Sequence, residues 1–104
     1  LINGNQGNDT LDGGTGNDIL YGSEDNDFIF GQAGNDLMFG NVGNDFLDGG
    51  VGNDSIFGGV DSLPGDEGKD TLIGGVGDDY ILGNQGSDSI LGGVGKDSIF
   101  GGKN

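Results

Sequence analysis

Large aliphatic residues recur along this chain singly, at a fixed interval of nine. Leu11, Leu20, Ile29, Met38, Leu47 and Ile56 set the interval, and Leu72, Ile81, Ile90 and Ile99 resume it. Each is eighth in a unit that opens with glycine: GNQGNDTLD (4–12), GGTGNDILY (13–21), GSEDNDFIF (22–30), GQAGNDLMF (31–39), GNVGNDFLD (40–48) and GGVGNDSIF (49–57). GGVGDDYIL (74–82), GNQGSDSIL (83–91) and GGVGKDSIF (92–100) continue it after an interrupted unit, 58–73, which carries seven extra residues, Asp61 to Glu67. A period of this length predicts a stack of repeats rather than an ordinary globular core. Within a unit, the last three positions read as a short strand whose eighth residue faces inward while the seventh and ninth face outward. The first six read as a loop, where glycine gives access to positive φ. Two units then form one coil of eighteen residues, and successive coils stack as parallel strands ~4.8 Å apart.

The sixth position holds aspartate in every unit: Asp9, Asp18, Asp27, Asp36, Asp45, Asp54, Asp70, Asp79, Asp88 and Asp97. Because units alternate between the two sides, Asp9, Asp27, Asp45, Asp70 and Asp88 form a column on one edge. Asp18, Asp36, Asp54, Asp79 and Asp97 form the other. Two carboxylates ~4.8 Å apart repel by about 3–4 kcal/mol at an effective dielectric of 20. A cation between each pair reverses that sign, so the ten aspartates are the expected metal ligands. Calcium fits best, since it takes six to eight oxygens in flexible geometry, whereas magnesium holds its waters and demands a tight octahedron. Five loops per edge leave four gaps, hence about eight Ca²⁺ if every gap fills.

Composition changes the picture in two ways. The 104 residues include 27 glycines, and 18 acidic residues face three lysines for a formal net charge of −15. No basic surface is available for phosphates, which excludes nucleic acid as a partner, and an anionic membrane would repel the chain. No apolar run is long enough to insert in a bilayer. Cysteine and histidine are absent, which removes disulfides, thiolate and imidazole metal sites and histidine-activated nucleophiles. No enzyme is expected within this segment, although a parent protein could carry a separate catalytic domain. The same glycine-rich, acidic composition would suit a disordered tail, but such a tail has no reason to keep an aliphatic in phase.

The repeat resembles the RTX (repeat-in-toxin) nonapeptide family over nearly the whole chain, in ten in-phase copies. That resemblance implies an all-β, right-handed parallel β-roll, a solenoid of two short-stranded parallel sheets. It further implies calcium held between neighbouring loops on one edge, and export by a type I system to the cell surface or the extracellular medium. A thin core of one aliphatic per strand, set against the backbone entropy of so many glycines, predicts that the roll folds only when calcium binds. A structural role, as a segment of an extracellular adhesin, surface layer or matrix fibre, is the alternative.

Several positions depart from the pattern. Ser23 and Asp25 replace glycines in unit 22–30, Asn5, Asn41 and Asn84 replace the second glycine elsewhere, and Gln32 does so less permissively. The insert 61–67 reads as a bulged surface loop with a Pro–Gly turn. Neither end carries an atypical capping unit, so residues 1–104 are expected to be a single array excerpted from a longer one. The outward ninth positions of even units, Tyr21, Phe39, Phe57, Leu82 and Phe100, form an apolar column. It is expected either to stack internally or to serve self-association or docking of a flanking domain.

Overall fold

A computed structural model describes residues 1–59 and 68–102; the insert 61–67 lies outside the described residues. Among the described residues there are eleven strands and no helix. The strands are β1 (Ile2–Asn5), β2 (Thr10–Asp12), β3 (Ile19–Glu24), β4 (Phe28–Phe30), β5 (Leu37–Val42) and β6 (Phe46–Val51). They continue with β7 (Ser55–Phe57), β8 (Thr71–Val76), β9 (Tyr80–Leu82), β10 (Ser89–Val94) and β11 (Ser98–Phe100). Odd-numbered strands form a six-stranded parallel sheet in the order β1-β3-β5-β7-β9-β11; even-numbered strands form a five-stranded one in the order β10-β8-β6-β4-β2. Strictly alternating assignment is what a two-unit coil requires, and the result is a parallel β-roll of about five turns.

Register follows the repeat position by position. Leu20 pairs with Met38 and Met38 with Ile56 in one sheet, while Leu11 pairs with Ile29 and Ile29 with Leu47 in the other. Eighth-position side chains from Leu11 to Ile81 are buried and constitute the core, one per strand from each side. Because a one-residue slip would send this column to the surface, the core also fixes the register.

Five strands run to six residues rather than the three expected, extending through the third position of the next unit, as in β5 and β6. The second position there turns through positive φ, so that the third residue pairs again with its counterpart one coil away, as Val51 does with Val76. Every non-glycine at that turn adopts the left-handed conformation: Asn5, Ser23, Gln32, Asn41 and Asn84 lie between φ 70 and 88°. Gln32 is accommodated with its Nε2 donating to Asp12 Oδ2 at 3.3 Å.

Outside, the expected apolar column is a stack of rings. Tyr21 lies on Phe39 and Phe39 on Phe57, with centroids 5.0 Å apart in both pairs and planes nearly parallel.

Candidate metal centre

The ten sixth-position aspartates fall into the two columns that alternation dictates, and a hydrogen-bond ladder joins them. Asp9 N donates to Asp27 Oδ1 at 2.9 Å, Asp27 N to Asp45 Oδ1, Asp45 N to Asp70 Oδ1 and Asp70 N to Asp88 Oδ1. On the other edge Asp18, Asp36, Asp54 and Asp79 donate in turn to the next aspartate, ending on Asp97. Each carboxylate from Asp27 to Asp97 thus has one oxygen committed to the backbone of the preceding coil. In the middle of the array the aspartates are buried: Asp27 and Asp54 are 1% exposed.

In six of the aspartates the second carboxylate oxygen is left over. Oδ2 of Asp9, Asp18, Asp27, Asp36, Asp54 and Asp79 is buried with no hydrogen-bond partner. An unmet charged acceptor in such a place costs several kcal/mol, on the order of 1–3 even for a neutral group. Burial accordingly pushes Asp27, Asp36, Asp54 and Asp79 above the ordinary carboxylate range, Asp54 to about 6. Desolvation is the largest cause in all four; the donated backbone amide opposes it, and the neighbouring aspartate's charge adds to it. Repulsion along the column, the force the spacing emphasises, is therefore secondary to burial.

Each orphaned oxygen lies beside the glycine that opens its own unit. A methyl group placed on Gly22 would lie 2.5 Å from Asp27 Oδ2 and 2.8 Å from Gly40 O, one coil on. The same placement on Gly31 meets Asp36 Oδ2 at 2.5 Å and Gly49 O at 2.7 Å. Oxygens from two successive coils therefore border one small space. These opening glycines do not have positive φ, unlike those at the second and fourth positions. They are glycine for lack of room, a role the sequence did not separate from conformational freedom.

Two further features escaped the sequence reading. Fifth-position asparagines form their own ladder, with Asn26 N donating to Asn8 Oδ1, Asn44 N to Asn26 Oδ1 and Lys69 N to Asn44 Oδ1. Their recurrence beside each aspartate was visible, but asparagine is common in turns for other reasons. Asp25, in place of a fourth-position glycine, holds φ 76° and accepts a hydrogen bond from Gly7 N through Oδ2 at 2.9 Å.

No group of three or more acidic side chains placed to hold a metal occurs among the described residues. A metal would have to complete its shell with backbone carbonyls, and the donors available are oxygens alone. That set suits calcium and offers zinc or copper no nitrogen or sulfur. The model of the RTX calcium-binding nonapeptide repeat (4 copies) matches residues 3–38, 30–62 and 64–99. No curated protein and no solved structure matches the chain.

Proposed function

We infer, from the premise that the chain belongs to the RTX calcium-binding nonapeptide repeat family, that it is a calcium-binding β-roll module whose folding depends on the ion, carried by a protein exported through a type I system. The family supplies calcium binding; the coupling to folding and the export route are the further steps. One observation carries the coupling: buried carboxylate oxygens without partners recur along both edges. A roll with those charges unmet is penalised in successive coils, and a bound dication would remove the penalty. Asp9, Asp27, Asp45, Asp70 and Asp88 would hold the ions of one edge, and Asp18, Asp36, Asp54, Asp79 and Asp97 those of the other. Opening-glycine carbonyls such as Gly40 O and Gly49 O adjoin the same spaces. Four gaps per edge give about eight ions, roughly +16 against a formal −15.

The test is a calcium titration followed by far-UV circular dichroism and calorimetry. In excess chelator the chain should read as coil, turning to β with calcium at a stoichiometry near eight; millimolar magnesium should not substitute. A chain fully β in chelator refutes the coupling.

A further inference from the structure

Seventh and ninth positions face outward, and the two sheets use them differently. On the six-stranded sheet they hold no acid, and Tyr21, Phe39 and Phe57 stack with nearly parallel planes, so that ring faces cover one another. On the five-stranded sheet Phe28 and Phe30 of β4 lie beside Phe46 and Asp48 of β6. The four occupy the corners of one rectangle, with Phe28 paired to Phe46 and Phe30 to Asp48. These rings are tilted rather than stacked. Phe28 and Phe46 have centroids 5.7 Å apart and planes at 39°; Phe30 and Phe46 are 5.9 Å apart with planes at 47°. Parts of their faces therefore stay open, and Phe28 is 54% exposed. Asp12 pairs with Phe30 from the other side, so one ring stands between two carboxylates.

Neither acid belongs to the calcium columns, and no other ninth position is acidic. Asp12 Oδ2 accepts from Gln32 Nε2 at 3.3 Å. Asp48 is half-buried, and among the described residues its carboxylate takes part in no hydrogen bond or ion pair. After burial, the largest cause, its charge adds to the upward shift of Asp54. An aromatic face carries negative charge density, so a carboxylate beside it is mismatched until a cation lies between them. A positive group with a flat apolar face would match the rings and the acid together.

We propose that this patch on the five-stranded sheet binds an arginine side chain of another polypeptide, with the guanidinium on Phe30 and Phe46 and its N–H groups on Asp48. The diagonal from Phe28 to Asp48 spans about 7–8 Å, which an arginine covers with its methylenes over Phe28 and its fork at the acid. Guanidinium stacks on aromatic faces, is weakly hydrated, and offers two parallel N–H groups to the two oxygens of Asp48. Lysine's ammonium is compact and strongly hydrated, so it gives up more water on the same rings. A quaternary ammonium suits the rings but has no hydrogen to donate to the carboxylate. The chain contains no arginine, so a partner must supply it. Small-molecule sites are concave; an open sheet surface suits a side chain carried on a larger partner. Charge complementarity thus selects a basic polypeptide as the occupant, and the free rings and the free acid select arginine within it.

The experiment titrates the 104-residue chain, in saturating calcium and physiological salt, into a fluorophore-labelled peptide of alternating arginine and glycine. Anisotropy reads binding, and circular dichroism of the same samples reads the β signal. The lysine–glycine peptide of equal charge should bind at least about fivefold more weakly. Asp48→Asn and Phe28→Thr should each weaken the arginine peptide by about fivefold or more with the β signal unchanged. Glu24→Gln, which removes an exposed charge on the other sheet, should leave it within about twofold. No saturable binding of the arginine peptide overturns the proposal. Equal binding of the two peptides does so too, as does an equal loss from Glu24→Gln, since either reduces the contact to diffuse charge. Displacement of the peptide by choline overturns it as well and gives the rings to a quaternary ammonium. A chain without β signal in calcium overturns the calcium reading and, because the patch needs the folded sheet, this proposal with it.

Discussion

Replacing Asp54 by asparagine separates the two roles that the ladder gives each aspartate. Asparagine keeps an oxygen where Asp54 Oδ1 accepts from Asp36 N at 2.8 Å, so the ladder survives. It puts a neutral NH₂ donor where the buried, unpartnered Oδ2 stands beside Gly49 and Gly74 O. Without calcium the change should help. Burial raises the Asp54 pKa from 3.8 to about 6, and at neutral pH removing that charge relieves roughly 3 kcal/mol of folding penalty, at 1.36 kcal/mol for each unit. With calcium it should hurt, since an aspartate in mid-column faces a gap on either side. Two ions each lose a charged ligand, at roughly 1.5–3 kcal/mol apiece. The β signal in chelator should therefore grow while the calcium midpoint rises, and the folding transition should broaden. Asp97→Asn, at the end of its column and only half-buried, should show both effects more weakly. Calcium titrations of the three proteins by circular dichroism decide the matter. An Asp54→Asn midpoint equal to or below that of the parent, or equal shifts from both variants, would refute the reasoning.

Two predictions extend to the rest of the array. Because the folded pKa of Asp54 is raised, with Asp27, Asp36 and Asp79 shifted in the same direction, the calcium-free roll should gain stability as pH falls. That gain is complete below about 3.8 and lost as pH rises through about 6; the coil's carboxylates bind protons in competition with calcium only near their ordinary value of 3.8, so the calcium midpoint should climb as acidification approaches that value, read by titrations at stepped pH. Gly49→Ala places a methyl against Asp54 Oδ2 and Gly74 O; it should cost about 1–3 kcal/mol and raise the calcium midpoint, whereas Gly7→Ala, with nothing near its added carbon, should show only the milder cost of its positive φ.

The fold was legible because one physical signal repeats ten times. An inward aliphatic every nine residues fixes strand phase, two-sidedness and coil length together, and the pairings Leu11–Ile29–Leu47 and Leu20–Met38–Ile56 obey it. Strand length was less legible. The loop-like second position hid a return to pairing at the third, where Val51 and Val76 are joined to neighbouring coils, because a left-handed residue reads as a break in one chain but repeats harmoniously in a stack. The same tolerance explains Ser23 and Gln32, whose φ of 88 and 77° departs little from that of their asparagine counterparts.

The site was half legible for a related reason. Spacing places ten aspartates in two columns, but it cannot tell whether a carboxylate points outward to solvent or inward across the base of its loop. Here the deciding residue is the opening glycine. Nothing in its backbone angles favours glycine, whereas the second and fourth positions, at positive φ, favour it for conformation yet also admit Asn, Ser, Gln and Asp. A side chain there would displace Asp27 Oδ2 or Gly40 O, or their counterparts in other coils. An unvarying glycine without positive φ therefore marks a space kept open, and the oxygens bordering it say for what. The aspartate must turn inward to hand one oxygen to the preceding coil, which leaves the other buried and charged beside that space. The first and sixth positions of each unit act together: glycine clears the volume, and aspartate sets a buried charge beside it, the arrangement that the proposed calcium sites would use.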